Sequence, residues 1–202
     1  MRSNLAKGLA FLCFAADAAS AADLPAEVTR QLPAGYAVLA STRAAVDGGH
    51  LFYAVALAST REQTNASKAA DRAPARPLLI FERRPNGGYG LAGRNDAIVM
   101  RADDAGLAGN GCDPFEDGHI VAKGPYLTVE NGVSCGAHWT DYVTFRFDPQ
   151  LRGYAFDNWR FQSWKLNPSN AADADALVLD TSRVVRAPKG GKTPFATWRR
   201  PG

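Results

Sequence analysis

Cysteine is scarce in this chain, three residues in 202. None belongs to a Cys-x-x-Cys pair or has a second Cys/His pair at zinc spacing, which excludes a zinc-finger-type site and the usual dithiol redox motif. Gly132-Val133-Ser134-Cys135-Gly136 matches the string Gly-x-Ser-x-Gly, but it stands between strand patterns and not at the strand-to-helix turn that makes the elbow presenting a serine nucleophile. No Asp-x-Asp-x-Asp-Gly loop is present to gather the oxygen ligands that calcium needs. Charge of one sign is also lacking. The formal net charge is +3, and removing Arg2, Lys7 and Asp17 with a leader leaves +2, too little to imply a nucleic-acid partner. Past the first twenty or so residues no apolar run approaches the roughly 20 residues of a membrane span. The expectation is a chain with no cofactor, no resident metal, no nucleic acid and no transmembrane segment.

What is there begins with a secretory signal over residues 1–21. Arg2 and Lys7 form a positive n-region, Leu9 to Ala16 a short apolar core, and Ala19-Ser20-Ala21 a small-x-small cleavage site. Cys13 lies in that core behind Leu12 rather than behind a small residue, so a cleaved leader fits better than a lipid anchor. Cleavage removes Cys13 and leaves Cys112 and Cys135. In an oxidising compartment two cysteines have one possible pairing. The bridge would close a loop of about 23 residues, worth roughly 3 kcal/mol in the chain-entropy view. The expected location is periplasmic or secreted.

Residues 22–180 read as one β-rich domain. Leu24 to Leu32 predicts a short helix, with Pro25 in its first turn and Pro33 stopping it. Strand patterns follow at Tyr36–Thr42, Leu51–Leu57, Leu78–Arg83, Tyr89–Arg94 and Ala97–Arg101. Asn86-Gly87-Gly88 and Gly124-Pro125 read as hairpin turns, the second joining His119–Ala122 to Tyr126–Val129. Trp139–Phe147 and the segment from Tyr154 form a further pair across Asp148-Pro149, and Leu177–Leu179 is a last strand, with Arg183–Arg186 as a weaker one. Residues 59–77 are polar, charged and Ala-rich, a mobile excursion between strands. Six basic residues and no acidic ones follow from Arg183 onward, so 181–202 reads as a basic, solvated tail. With no helix between the strands, the fold class is all-β and mainly antiparallel, as two packed sheets or something like a propeller blade.

The order of these segments, with Cys-Asp-Pro-Phe at 112–115 and an aromatic-led strand ending Thr-Phe-Arg-Phe at 144–147, resembles an uncharacterised family of exported bacterial proteins similar to FG-GAP or integrin-α-like repeats. The similarity runs from Leu32 to about Leu166. In such repeats an Asp-rich turn after the first strand can hold calcium; here only Asp47-Gly48 remains of it. One carboxylate cannot supply six to eight oxygens, so the resemblance implies no metal at this turn. It implies no reaction either.

The candidate site residues are Asp113, Glu116, His119 and His138. The first three stand close in sequence with Asp117, in a turn pinned by Cys112. Such a group could serve a hard cation; the plainer alternative is that Asp113 caps its own turn while Glu116 and Asp117 are solvated. His138 could be a general base, yet no recognisable elbow places a nucleophile for it and no orienting partner is marked. Two functions remain open. One is non-catalytic binding of an envelope protein or glycan on a sheet face or loop set. The other is a small periplasmic hydrolase or metal-dependent enzyme using Asp113, His119 and His138, which requires those side chains to converge within about 4 Å. The residues name no ligand and set no oligomeric state. Strand parity finally predicts that Trp139, Val143, Phe145 and Phe147 share a buried face, with Thr140, Tyr142, Thr144 and Arg146 on the solvated one. Trp159, Phe161 and Trp164 form a stripe that would serve as a carbohydrate or peptide platform if exposed; packing into the core is the favoured reading, since aromatics alternating on a strand normally face inward.

Overall fold

The computed structural model describes residues 24–46, 48–62, 73–105, 112–169 and 174–201. The expected leader over 1–21, Asp47 of the second turn, and 63–72 of the excursion lie outside the described residues.

The first sheet has the order β1 (Tyr36–Val46), β2 (His50–Ser59), β3 (Arg76–Arg83), β4 (Tyr89–Val99). The second runs β5 (His119–Lys123), β6 (Tyr126–Val133), β7 (His138–Asp148), β8 (Gly153–Leu166), β9 (Leu177–Arg186). All neighbours pair antiparallel, as expected of short strands joined by tight turns. Gly87 and Gly124 carry positive φ at two of these turns, 88° and 53°, a conformation that costs a Cβ-bearing residue and not glycine. Tyr89–Arg94 and Ala97–Arg101, two strands by pattern, are one strand in the fold, bent by register shifts against β3.

Alternation decides what each face does. Phe52, Ala54, Ala56, Leu78 and Ile80 point between the sheets and meet Leu127, Val129, Val143, Phe145, Phe147, Tyr154, Phe156 and Trp159. On the other face of the first sheet, Tyr53, Val55, Leu57, Leu79 and Phe81 pack under a short helix, α1 (Ala26–Thr29), through its fully buried Val28. Both faces of β2 and β3 are therefore covered, which explains their unbroken apolar runs. Gln31 and Glu27 fasten the helical segment to β4: the Gln31 amide donates to the Tyr89 carbonyl at 2.9 Å, and Tyr89 N–H donates to Glu27 at 3.2 Å.

The C-terminal segment overturns the expectation of a solvated tail. Residues 181–186 complete β9, and the chain then returns along β4 and β8 in a 3-10 turn, Phe195–Thr197. Phe195 and Trp198 are buried against Phe145 and Phe156. Buried Asn95 donates to the carbonyls of Phe195 and Trp198 at 2.6 and 3.0 Å. Arg200 then reaches the fully buried Asp141 through Nε at 3.0 Å and Nη2 at 2.8 Å, and caps the carbonyls of Ala97 and Ile98. Basic residues drew attention to this tail; its aromatics and one ion pair fix its place. No local pattern marks the partner, since Asp141 lies 59 residues away.

Candidate functional site

The two outer faces are treated differently. Helix α1 covers part of that of the first sheet, over Val55, Leu57, Leu79 and Phe81, and leaves Arg43, Leu91 and Arg94 of the same face exposed; among the described residues no helix or strand lies over that of the second. Register sets what the open face carries. One row crosses all five strands as His119, Glu130, Tyr142, Arg160 and Val184, and the next as Val121, Thr128, Thr144, Asn158 and Arg186. The Tyr142 hydroxyl donates to Glu130 Oε1 at 2.8 Å, and the Thr128 and Thr144 hydroxyls share a hydrogen bond of 3.0 Å. Burial, and then the bond to Glu130, raises the Tyr142 pKa above that of a free phenol, so this hydroxyl stays a donor at neutral pH. Tyr126 is exposed with the Arg146 guanidinium 5.9 Å from its ring centre, and Trp164 stands opposite His138.

At the loop end this face runs into a cleft of about 210 Å³, lined in part by Asp113, Glu116, Asp117, Glu130, Gly132 and Trp139. Its back wall is the bridge between Cys112 and Cys135, whose Cα atoms are 6.2 Å apart, an ordinary disulfide span. Gly132 forms part of the wall because nothing larger fits: a Cβ there would lie 2.8 Å from the Trp139 carbonyl oxygen.

One of the cleft's carboxylates is already committed. Arg76, 2 % exposed, donates to both oxygens of Asp113 at 2.6 and 2.5 Å, to both oxygens of Glu62, and to the Met100 carbonyl. Burial works to lower the arginine's pKa, but the hydrogen bonds and charges of Asp113 and Glu62 outweigh it and hold the pKa above its ordinary value. Asp113 also accepts from Phe115 N–H at 2.8 Å, which is the plainer of its two readings, a cap of its own turn. The clamp thus ties the end of β2, the start of β3 and the disulfide turn together.

The four candidate residues do not gather. Asp113 faces Arg76, and Glu116 is exposed at the cleft rim. His119 and His138 occupy the same open face but stand two strands and four residues apart, a separation on the order of 15 Å at normal strand spacing and rise. A hydrolase built on Asp113, His119 and His138 has no common point at which to act. Among the described residues no cluster of three or more His, Cys, Asp or Glu side chains is arranged to hold a metal ion.

The parity expected of β7 holds for Val143, Phe145 and Phe147, all buried, and for Thr140, Tyr142, Thr144 and Arg146 opposite. Trp139 departs from it. It shares the inner face but sits at the strand's end, half-buried, with Phe161 6.0 Å away as its ring neighbour. The aromatic stripe on β8 also divides: Trp159 is buried and Phe161 half-buried on the inner face, while Trp164 is paired with His138 on the other. Glu130, Tyr142 and Arg160 were not singled out as a group, because only register places three separated polar residues side by side.

No protein-family model matches the chain, and neither a curated protein nor a solved structure is significantly similar to it. Fold and site together define a disulfide-bonded, antiparallel β-domain of two packed sheets, with one outer face partly covered by α1 and no described helix or strand over the other. No helix of the described residues is long and apolar enough to cross a membrane.

Proposed function

We propose that this chain is an exported, non-catalytic binding domain that holds an envelope glycan on the open face of its five-stranded sheet. The observation carrying this reading is the difference between the two outer faces: one packed in part under α1 through an apolar cluster, the other, with no described helix or strand over it, spread with cross-strand rows of polar side chains. Carboxylate, phenol, guanidinium and hydroxyl groups in fixed register suit the paired donors and acceptors of a sugar, and the rings of Tyr126 and Trp164 offer planes for its apolar side. Apolar groups on this face gather at its β8–β9 corner, where Trp164 pairs with Leu179 and Leu166 with Leu177, while the rows across its centre are mainly polar. The leader pattern and the Cys112–Cys135 bridge support export to the periplasm or beyond. Kinship with exported FG-GAP-like proteins belongs to the same proposal.

A glycan array probed with the purified chain tests it. Binding should be retained by Leu91→Ala, an exposed change on the first sheet, and weakened at least tenfold by Arg160→Ala and by Tyr142→Ala. An array with no binder, together with capture of an envelope protein lost in the same two variants, would overturn the glycan reading.

A further inference from the structure

Sheet edges expose unpaired backbone groups, and proteins usually cover or blunt them. Three of the four edges here have company. β1 runs beside β5, and the C-terminal segment lies along β4, where Arg200 caps the Ala97 and Ile98 carbonyls. Only β9 ends its sheet with no described element against it. It is ten residues long and mostly exposed along its length.

From this edge we infer a second copy of the same chain as its occupant, joined β9 to β9 about a two-fold axis through Ser182. An antiparallel pairing of identical strands must set one residue opposite itself, because a two-fold perpendicular to the sheet keeps each side chain on its own face. The bulge in β9 makes the rest of the strand fit that demand. Ser163 pairs with Thr181 and Trp164 with Leu179, so Asp180 is the extra residue. The outer face therefore carries Leu177, Leu179, Ser182, Val184 and Arg186. With Ser182 on the axis and Asp180 stepped over, Leu179 of each copy meets Val184 of the other. On the inner face Val178 meets Val185, and Asp180 with Thr181 meets Arg183. Leu179 and Val184 are 51 % and 46 % exposed in the single chain, so the pairing covers two of its most exposed apolar side chains. It also brings Asp180, paired with Lys165 of its own chain at 2.9 Å, near Arg183 of the other copy, which lies over its own Trp159 ring, and like charges meet at neither symmetric position.

Such a dimer continues the five-stranded sheets of the two copies into one ten-stranded sheet with a common open face. The inference does not depend on what that face binds, and array binding by a monomer would leave it to be judged on its own.

Sedimentation of the purified full chain across the micromolar range should give a reversible monomer–dimer equilibrium, with the dissociation constant raised at least tenfold by Val184→Lys. Oxidation of Ser182→Cys should yield an intermolecular disulfide, since directly opposed residues lie at bridging distance. Arg186→Cys, on the same face but off the axis, should not. A monomer at 100 μM, a dimer indifferent to Val184→Lys, or equal cross-linking of the two cysteine variants would each overturn the inference.

Discussion

Arg200→Ala isolates the most consequential contact of the C-terminal segment. In the native chain the Asp141 carboxylate has no solvent exposure and is met by four donors: Arg200 Nε and Nη2, the Trp159 indole N–H and the Asn131 amide. Removing the guanidinium leaves a buried charge with two neutral donors and uncovers the carbonyls of Ala97 and Ile98. Breaking one side of a buried ion pair costs about 3–5 kcal/mol. In a domain of this size each kcal/mol lowers the Tm by roughly 2–4 °C, so thermal unfolding followed by circular dichroism should show a drop of roughly 10 °C. Arg199→Ala, an exposed neighbour, should stay within about 0.5 kcal/mol of the parent. Adding Asp141→Asn to Arg200→Ala should recover part of the loss, because the uncompensated charge goes with it. Equal, small shifts for Arg199→Ala and Arg200→Ala would refute the docked segment and restore the solvated tail.

Arg76→Ala should likewise cost about 3–5 kcal/mol by stranding Asp113 and Glu62, and Arg76→Lys should recover little of it, since a lysine cannot serve both carboxylates in a fork; denaturant midpoints decide. The purified protein should show no reactive thiol from Cys112 or Cys135 without reductant, and Cys135→Ser should lower stability by about 2–4 kcal/mol. Tyr154 has a buried hydroxyl without a partner, and burial pushes its pKa up to about 12. The neutral phenol therefore leaves stability independent of pH below the free phenol value near 10, and stability falls as the pH rises from there through about 12. Tyr154→Phe should leave stability at neutral pH unchanged or raised by about 1 kcal/mol, and should flatten the alkaline limb of the unfolding curve.

Alternation and turn chemistry are local, and they made the β class, the β5–β6 hairpin and the inward set Val143, Phe145, Phe147 legible in the sequence. The disulfide was legible because pairing arithmetic left one choice. What was not legible depends on contacts between distant residues. Nothing near Arg76 announces Asp113, 37 positions away, and nothing near Arg200 announces Asp141. Trp139 was read as core because parity assigns a face but does not say where the opposing sheet stops. The open face is the same kind of case: Glu130, Tyr142 and Arg160 become neighbours only through the registers of β6, β7 and β8.

The most direct measurement of the central claim is oxidative footprinting of the full chain with and without the tightest glycan from the array. Glycan binding should protect Tyr126, Tyr142 and Trp164 on the open face and leave Tyr53 and Tyr89 beneath α1 unprotected. Protection at Tyr89 or around Leu91, with the open face still oxidised at its free rate, would contradict it.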